Sequence, residues 1–153
     1  MNFFTYQTPV GKLSIACEED NIVKLTLSEK VDNAVQKETP IIQKAHRQLM
    51  EYFERKRKHF DLPLKPKGTL FQQKVWDALS QISYGKTKSY KEIATMIGNP
   101  KACRAVGMAN HCNPIMIIIP CHRVIGSNGS LTGYAYGTEM KMQLLELENT
   151  VII

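Results

Sequence analysis

Apolar and polar residues alternate along two stretches near the start of the chain. In "GKLSIAC" (Gly11–Cys17), Leu13, Ile15 and Cys17 alternate with Lys12, Ser14 and Ala16. In "NIVKLTL" (Asn21–Leu27) the apolar positions are Ile22 or Val23, Leu25 and Leu27. A period of two predicts strands with one buried face, and "CEEDN" between them carries the Asp and Asn of a hairpin turn. Residues 1–28 are therefore expected to form strands. After Pro40 the period lengthens. Ile42, Ala45, Leu49, Tyr52 and Phe53 recur at helical spacing, which predicts one helix over 40–57 with its basic run Arg55–Lys58 at the solvated C-terminal end, where the helix dipole favours cations.

"DLPLKPKG" interrupts the periodic segments with Pro63, Pro66 and Gly68 and reads as a linker. The boundaries expected are an N-terminal domain over 1–62, a linker over 63–68 and a second domain over 69–153. Beyond the linker the pattern is helical. Thr69 can cap a helix whose apolar stripe is Phe71, Val75, Ala78, Leu79 and Ile82, and Ser89 can cap a short one carrying Ile93, Ala94 and Ile97 before Gly98. Asn99 as cap and Pro100 as first residue predict the next helix, with Ala102, Cys103, Ala105, Val106 and Ala109. Two short helices joined by a Gly-containing turn form a helix-turn-helix pattern. A last helix lies in "EMKMQLLELENT", its apolar positions being Met140, Leu144, Leu145 and Leu147.

The most hydrophobic run is Ile115–Ile119. Five apolar residues read as a core strand, but the run ends on Pro120, Cys121, His122 and Arg123. At five residues it is far short of the roughly 20 a membrane-spanning helix needs. The N-terminus shows no basic start followed by a long apolar core, so the protein is expected to be cytoplasmic. A chain of 153 residues with 43% hydrophobic content suits one or two globular domains. Four cysteines (Cys17, Cys103, Cys112 and Cys121) make no C-x-x-C pair, so no metal site is expected. The net charge of +6 is concentrated. Between Lys86 and Arg123 stand six cations against Glu92 alone, which suits a polyanion partner.

A thiol beside an imidazole can be a nucleophile, since the thiolate is the reactive form. Neighbours on an extended chain point apart, so Cys121 and His122 would meet through a tight turn or a bridging water. A histidine base also needs a group to orient it. Glu139, Glu146 and Glu148 are available in the last helix, and spacing does not choose between Glu148 facing inward and Glu146. On these residues alone a thiol hydrolase, a redox sensor and an inert core cysteine all remain open.

"NPIMIIIPCHRVIG" resembles the active-site segment of the O6-alkylguanine-DNA alkyltransferases, also called methylated-DNA–protein-cysteine methyltransferases. The similarity extends over about 85 residues, from "GTLFQQKVWDALSQISYGKTKSYKEIATMIGNPKACRAVGMANHCNP" through "NGSLTGYAYG" to "LLELE". The resemblance implies an α+β protein: a small ribonuclease H-like sheet-plus-helix domain, then a mostly helical winged helix-turn-helix domain. It implies DNA repair by irreversible, stoichiometric transfer of the alkyl group from O6-alkylguanine in double-stranded DNA, without cofactor and as a monomer.

Carried over by motif, Cys121 is the acceptor. His122 is its base through a water, Glu148 orients the histidine, and Asn113 supports the active-site turn. Tyr90 helps rotate the nucleotide, and Arg104 fills the gap it leaves. Val124 and Tyr134 line the guanine pocket, the Ala135 amide approaches O6, and Lys101 and Ser127 meet DNA. Four residues depart from the family pattern around the pocket: His111, Cys112, Tyr136 and Thr138. An intact Cys121 argues against a non-enzymatic lesion binder. At 153 residues the chain is not expected to carry the extra domain of a fused regulator.

Overall fold

The computed structural model describes residues 1–131 and 133–150. Two compact units make up the chain, Met1–Lys67 and Gly68–Ile153.

In the first unit, strands β1 (Asn2–Thr8), β2 (Gly11–Glu18), β3 (Asn21–Thr26) and β4 (Val35–Gln36) form a sheet in the order β3-β2-β1-β4. β1 and β2 pair antiparallel from Asn2↔Cys17 to Thr8↔Gly11. The β2–β3 hairpin turns through Glu19, whose φ of 53° is the left-handed value such turns require. Helix α1 (Pro40–Phe53) is capped by Thr39, which accepts from the Ile42 amide, and buries Ile42, Ala45, Leu49, Tyr52 and Phe53. Leu13, Ile15, Ile22 and Leu25 are buried as well.

The alternation in β2 predicted one polar face, yet Ser14 and Ala16 are buried too. Val31 packs with Phe3, Ala16 and Val23 in a second small core. The Ser14 hydroxyl is satisfied by Thr5 and by the Ser28 carbonyl. Helix α1 is shorter than expected. It stops at Phe53, and Arg55 takes a φ of 62°, so the basic run lies outside the helix and no basic residue occupies its last turn. Lys56 and Arg57 instead bond Glu54 and Glu51 at 2.9 and 3.0 Å. The proline-rich stretch runs beside β3: the Ile22 amide bonds the Pro63 carbonyl, and the Lys65 amide bonds that of Ile22.

In the second unit, helices α2 (Leu70–Leu79), α3 (Tyr90–Met96) and α4 (Cys103–His111) pack around Val75, Trp76, Leu79, Ile93, Ala94, Val106 and Ala109. Thr69 and Ser89 each form a complete capping box, with Gln72 and Glu92. The Trp76 indole N–H bonds the Ala109 carbonyl at 2.9 Å, tying α2 to α4. Among the described residues, no helix is long and apolar enough to cross a membrane.

Two expectations fail here. Helix α4 starts at Cys103, with Ala102 and not Asn99 at its cap. The Asn99 amide bonds the Ala94 carbonyl, closing the C-terminus of α3 around Gly98 at φ 80°, and the Ala102 amide bonds the Asn99 carbonyl at 3.0 Å, so residues 99 to 102 form a separate turn and the helix begins beyond it. Ile115–Ile119 is buried but is no strand. It folds into successive turns, with the Ile118 amide bonded to Met116 and that of Ile119 to Ile115. A short parallel pair, β5 (Lys88–Ser89) and β6 (Val124–Ile125), flanks the turn region. Helix α5 (Thr138–Leu147) closes the unit.

Candidate active site

Asn113 builds the turn. Its side-chain amide donates to the carbonyls of Ile119 at 2.8 Å and Ile115 at 3.3 Å, and its oxygen accepts from the Ile115 amide at 3.0 Å. One side chain thus replaces the ladder bonds a strand would supply. The resulting path forces Ile117, a β-branched residue, to a φ of 70°. Such a conformation costs about 1–3 kcal/mol and persists only where its surroundings impose it. From this turn Cys121, His122 and Arg123 emerge on a single 3-10 turn, all three buried. Asn110 of α4 holds the Cys121 carbonyl at 3.3 Å.

His122 Nε2 lies 2.7 Å from Glu148 Oε2, and both side chains are fully buried. Arg123 meets the same carboxylate with two donors, Nε to Oε1 at 2.9 Å and Nη2 to Oε2 at 3.0 Å, and donates Nη1 to the Ile82 carbonyl at 2.7 Å. Burial pushes the Glu148 carboxyl up, but the His122 bond and the bidentate Arg123 outweigh it and hold the group at about 2. Burial lowers the His122 pKa, with Arg123 and Lys141 opposing a second positive charge and Glu148 pulling the other way. The imidazole is therefore neutral at pH 7, with its proton on Nε2 toward Glu148. Its Nδ1 is a buried acceptor with no partner among the described residues. The Cys121 thiol is raised to about 11, mainly by burial and against hydrogen bonds from Asn113 and Tyr134 and the charge of Lys141. A protonated thiol beside a neutral, oriented imidazole is set for proton removal.

A groove of about 540 Å³ opens along α4, beside the first residue of α3 and the loop before α5, lined by Tyr90, Cys103, Arg104, Gly107, Met108, His111 and Gly133. Tyr90 and Arg104 thus share it, as does His111, one of the departures from the family pattern. Gly133, at φ 89°, lies so close that a Cβ would stand 3.0 Å from the Tyr90 hydroxyl. Val124 and Tyr134 are buried. Tyr136 packs edge-on against Tyr134, with centroids 5.7 Å apart. Lys101, Ser127 and Ala135 are exposed and do not line the groove, nor does Cys112. Thr138 is the first residue of α5.

Arg123 and Lys141 escaped the sequence reading. Arg123 was counted in the basic stretch facing a polyanion, but it is buried against Glu148. Lys141 is buried on α5 where Met140 was expected. Helical spacing held the signal, because residues 141, 144, 145 and 148 fall on one face.

Two family models match the chain: "6-O-methylguanine DNA methyltransferase, ribonuclease-like domain" over residues 1–66 and "6-O-methylguanine DNA methyltransferase, DNA binding domain" over 70–150. The chain belongs to the 6-O-methylguanine DNA methyltransferase family. A curated member, the constitutive methylated-DNA–protein-cysteine methyltransferase of Bacillus subtilis, is 53% identical over 97% of this chain and 96% of its own length. The Methanosarcina acetivorans methylated-DNA–protein-cysteine methyltransferase is 46% identical over 98% and 99%. Among solved structures, the Mycobacterium tuberculosis OGT in complex with DNA superposes with a TM-score of 0.91 at 45% identity, covering 97% of this chain and 92% of that one. The α+β architecture expected from the sequence is the architecture of this family.

Proposed function

We infer that this chain repairs DNA by moving the alkyl group of O6-alkylguanine onto its own Cys121, once and irreversibly, working as a cytoplasmic monomer on double-stranded DNA. The observation that carries the reading is the buried thiol next to a neutral histidine locked by Glu148, within a family named for transfer to a protein cysteine. His122 Nδ1 takes the thiol proton through a water, Glu148 fixes the tautomer, and Asn113 keeps the turn in shape. The sulfur attacks the alkyl carbon, the C–O bond breaks toward O6, and the proton ends on the guanine. A hydroxyl from Tyr90 and the Ala135 amide stabilise the departing oxygen and ring, while Val124 and Tyr134 hold the base.

The alkylated base lies inside the duplex and must be extruded, at a few kcal/mol of unstacking. Arg104, exposed on α4, fills the space left, and Lys101 and Ser127 contact the backbone without reading sequence. One equivalent of O6-methylguanine duplex should leave one methyl group on the Cys121 peptide and stop there. Methyl on Cys17, Cys103 or Cys112, or continued turnover, contradicts the reading.

Arg104→Ala should slow repair of duplex DNA by about tenfold or more, one tenfold step being about 1.4 kcal/mol, while reaction with free O6-benzylguanine changes little. Single-turnover rates on both substrates decide this, and equal losses would remove Arg104 from extrusion.

A further inference from the structure

Lys141 has no part in the roles assigned so far, although it is fully buried, at 0% exposure. Its Nζ has no hydrogen-bond partner among the described residues. It stands 5.8 Å from the centroid of the Tyr90 ring and 6.0 Å from that of Tyr134. Lysines are almost never fully buried unless paired, and on a helix face shared with Leu144 and Leu145 a methionine would pack without desolvating a charge. Two aromatic faces compensate only in part. A group that becomes anionic nearby would complete the environment, and the sulfur of Cys121 is that group.

Resting on the alkyl transfer inferred above, we propose that Lys141 supplies the positive charge against which the Cys121 thiolate forms, acting on the sulfur through space. The groups that face it are Cys121 and His122 from the active-site turn, Tyr90 from α3 and Tyr134 from the loop before α5. Burial brings the Lys141 ammonium down to about 8 while Cys121 draws it up. Reciprocally, Lys141 helps pull the thiol down from where burial sets it.

No atom passes through Lys141. The thiol proton goes to His122, the sulfur electron pair forms the S–C bond, and the C–O pair leaves on O6 of the guanine, which takes the proton back. Lys141 faces a neutral thiol at rest, an anion only while the proton is leaving the sulfur, and a neutral thioether afterwards.

Lys141→Met in the full chain tests this through single-turnover transfer from O6-methylguanine duplex between about pH 6 and pH 9.5, a range spanning the Lys141 pKa of about 8. One unit in a thiol pKa changes the thiolate fraction tenfold. The variant should be about tenfold slower at pH 7, and the gap should close between about pH 8 and pH 9.5, where the wild-type Lys141, at about 8, gives up its charge. No slowing at pH 7, or a gap of constant size across the range, overturns the proposal and leaves Lys141 a packing residue.

A second measurement needs no variant. In the wild-type protein the lysine Cε signals are titrated by NMR. One signal should titrate below the others, at about 8, so that Lys141 carries its charge at pH 7, and a midpoint below about pH 6, which would leave it neutral at pH 7, overturns the proposal. A wild-type protein that takes no methyl at Cys121 at any pH would show the different failure of the transfer reading itself, and this proposal falls with it.

Discussion

His122→Ala should transfer methyl at pH 7 roughly 100- to 10,000-fold more slowly than the wild type, the usual contribution of a positioned base. The size of the loss follows from the thiol. With a pKa of about 11, roughly one sulfur in ten thousand is ionised unaided at pH 7. The variant depends on that fraction, so its rate should climb about tenfold per pH unit through the range where the fold survives. Glu148→Gln should also slow transfer, because an amide neither fixes the imidazole tautomer nor stabilises the imidazolium that forms. The two side chains act as one device, bonded at 2.7 Å, so the double variant should be little worse than the worse single one. Single-turnover transfer against pH for all four proteins is the measurement. Additive losses, or a His122→Ala rate flat with pH, would reduce His122 to a structural residue of the turn.

Arg123→Met should destabilise the second unit by about 3–5 kcal/mol, the cost of removing one partner from a buried ion pair. Glu148 would keep a buried charge with two of its hydrogen bonds gone. Its carboxyl, at about 2 in the fold against 4.5 normally, contributes on the order of 3 kcal/mol above pH 5 and loses it as the pH falls from about 4.5 to 2. Much of that acid-sensitive stability should be missing from the variant. His122 would lose the Arg123 charge that helps hold its pKa down, so it should protonate more readily as the pH falls. Trp76, the single tryptophan, is buried between α2 and α4 and reports on this unit. Urea melts followed by its fluorescence at pH 7 and pH 3 decide the matter, and a variant within about 1 kcal/mol of wild type would show the pair to be energetically neutral.

Local signals in the sequence were most informative where one residue decides one bond. Thr69 and Ser89 are helix caps because a hydroxyl followed three residues later by Gln72 or Glu92 satisfies two amides at once. Asn99 carries an equally good local signal and misleads, because residues 99 to 102 close a turn of their own before the helix begins. The run Ile115–Ile119 has the composition of a strand. Whether it pairs with another strand or with Asn113 is a tertiary matter that periodicity does not contain.

The chemistry-bearing pair of Cys121 and His122 stands out because two such residues end an apolar run. The choice of Glu148 over Glu146 needed the helix face, and so did Lys141. Arg123 looked like surface charge because sequence assigns a sign to a residue but not a depth.

A protein consumed by its own reaction has to survive the wait. Cys121 is 2% exposed and its thiol is held protonated at about 11, which is the opposite of how a reactive surface cysteine is kept. Peroxides, quinones and stray alkylators that meet the protein in solution find a neutral, recessed thiol. Reactivity is then conditional on the route of approach. On the transfer inferred above, a base held by the protein would bring its alkyl carbon to the sulfur, whereas a diffusing electrophile meets a buried residue. The same depth that makes Cys121 sluggish on paper therefore sets the shelf life of each molecule, and with it how many remain ready when damage occurs.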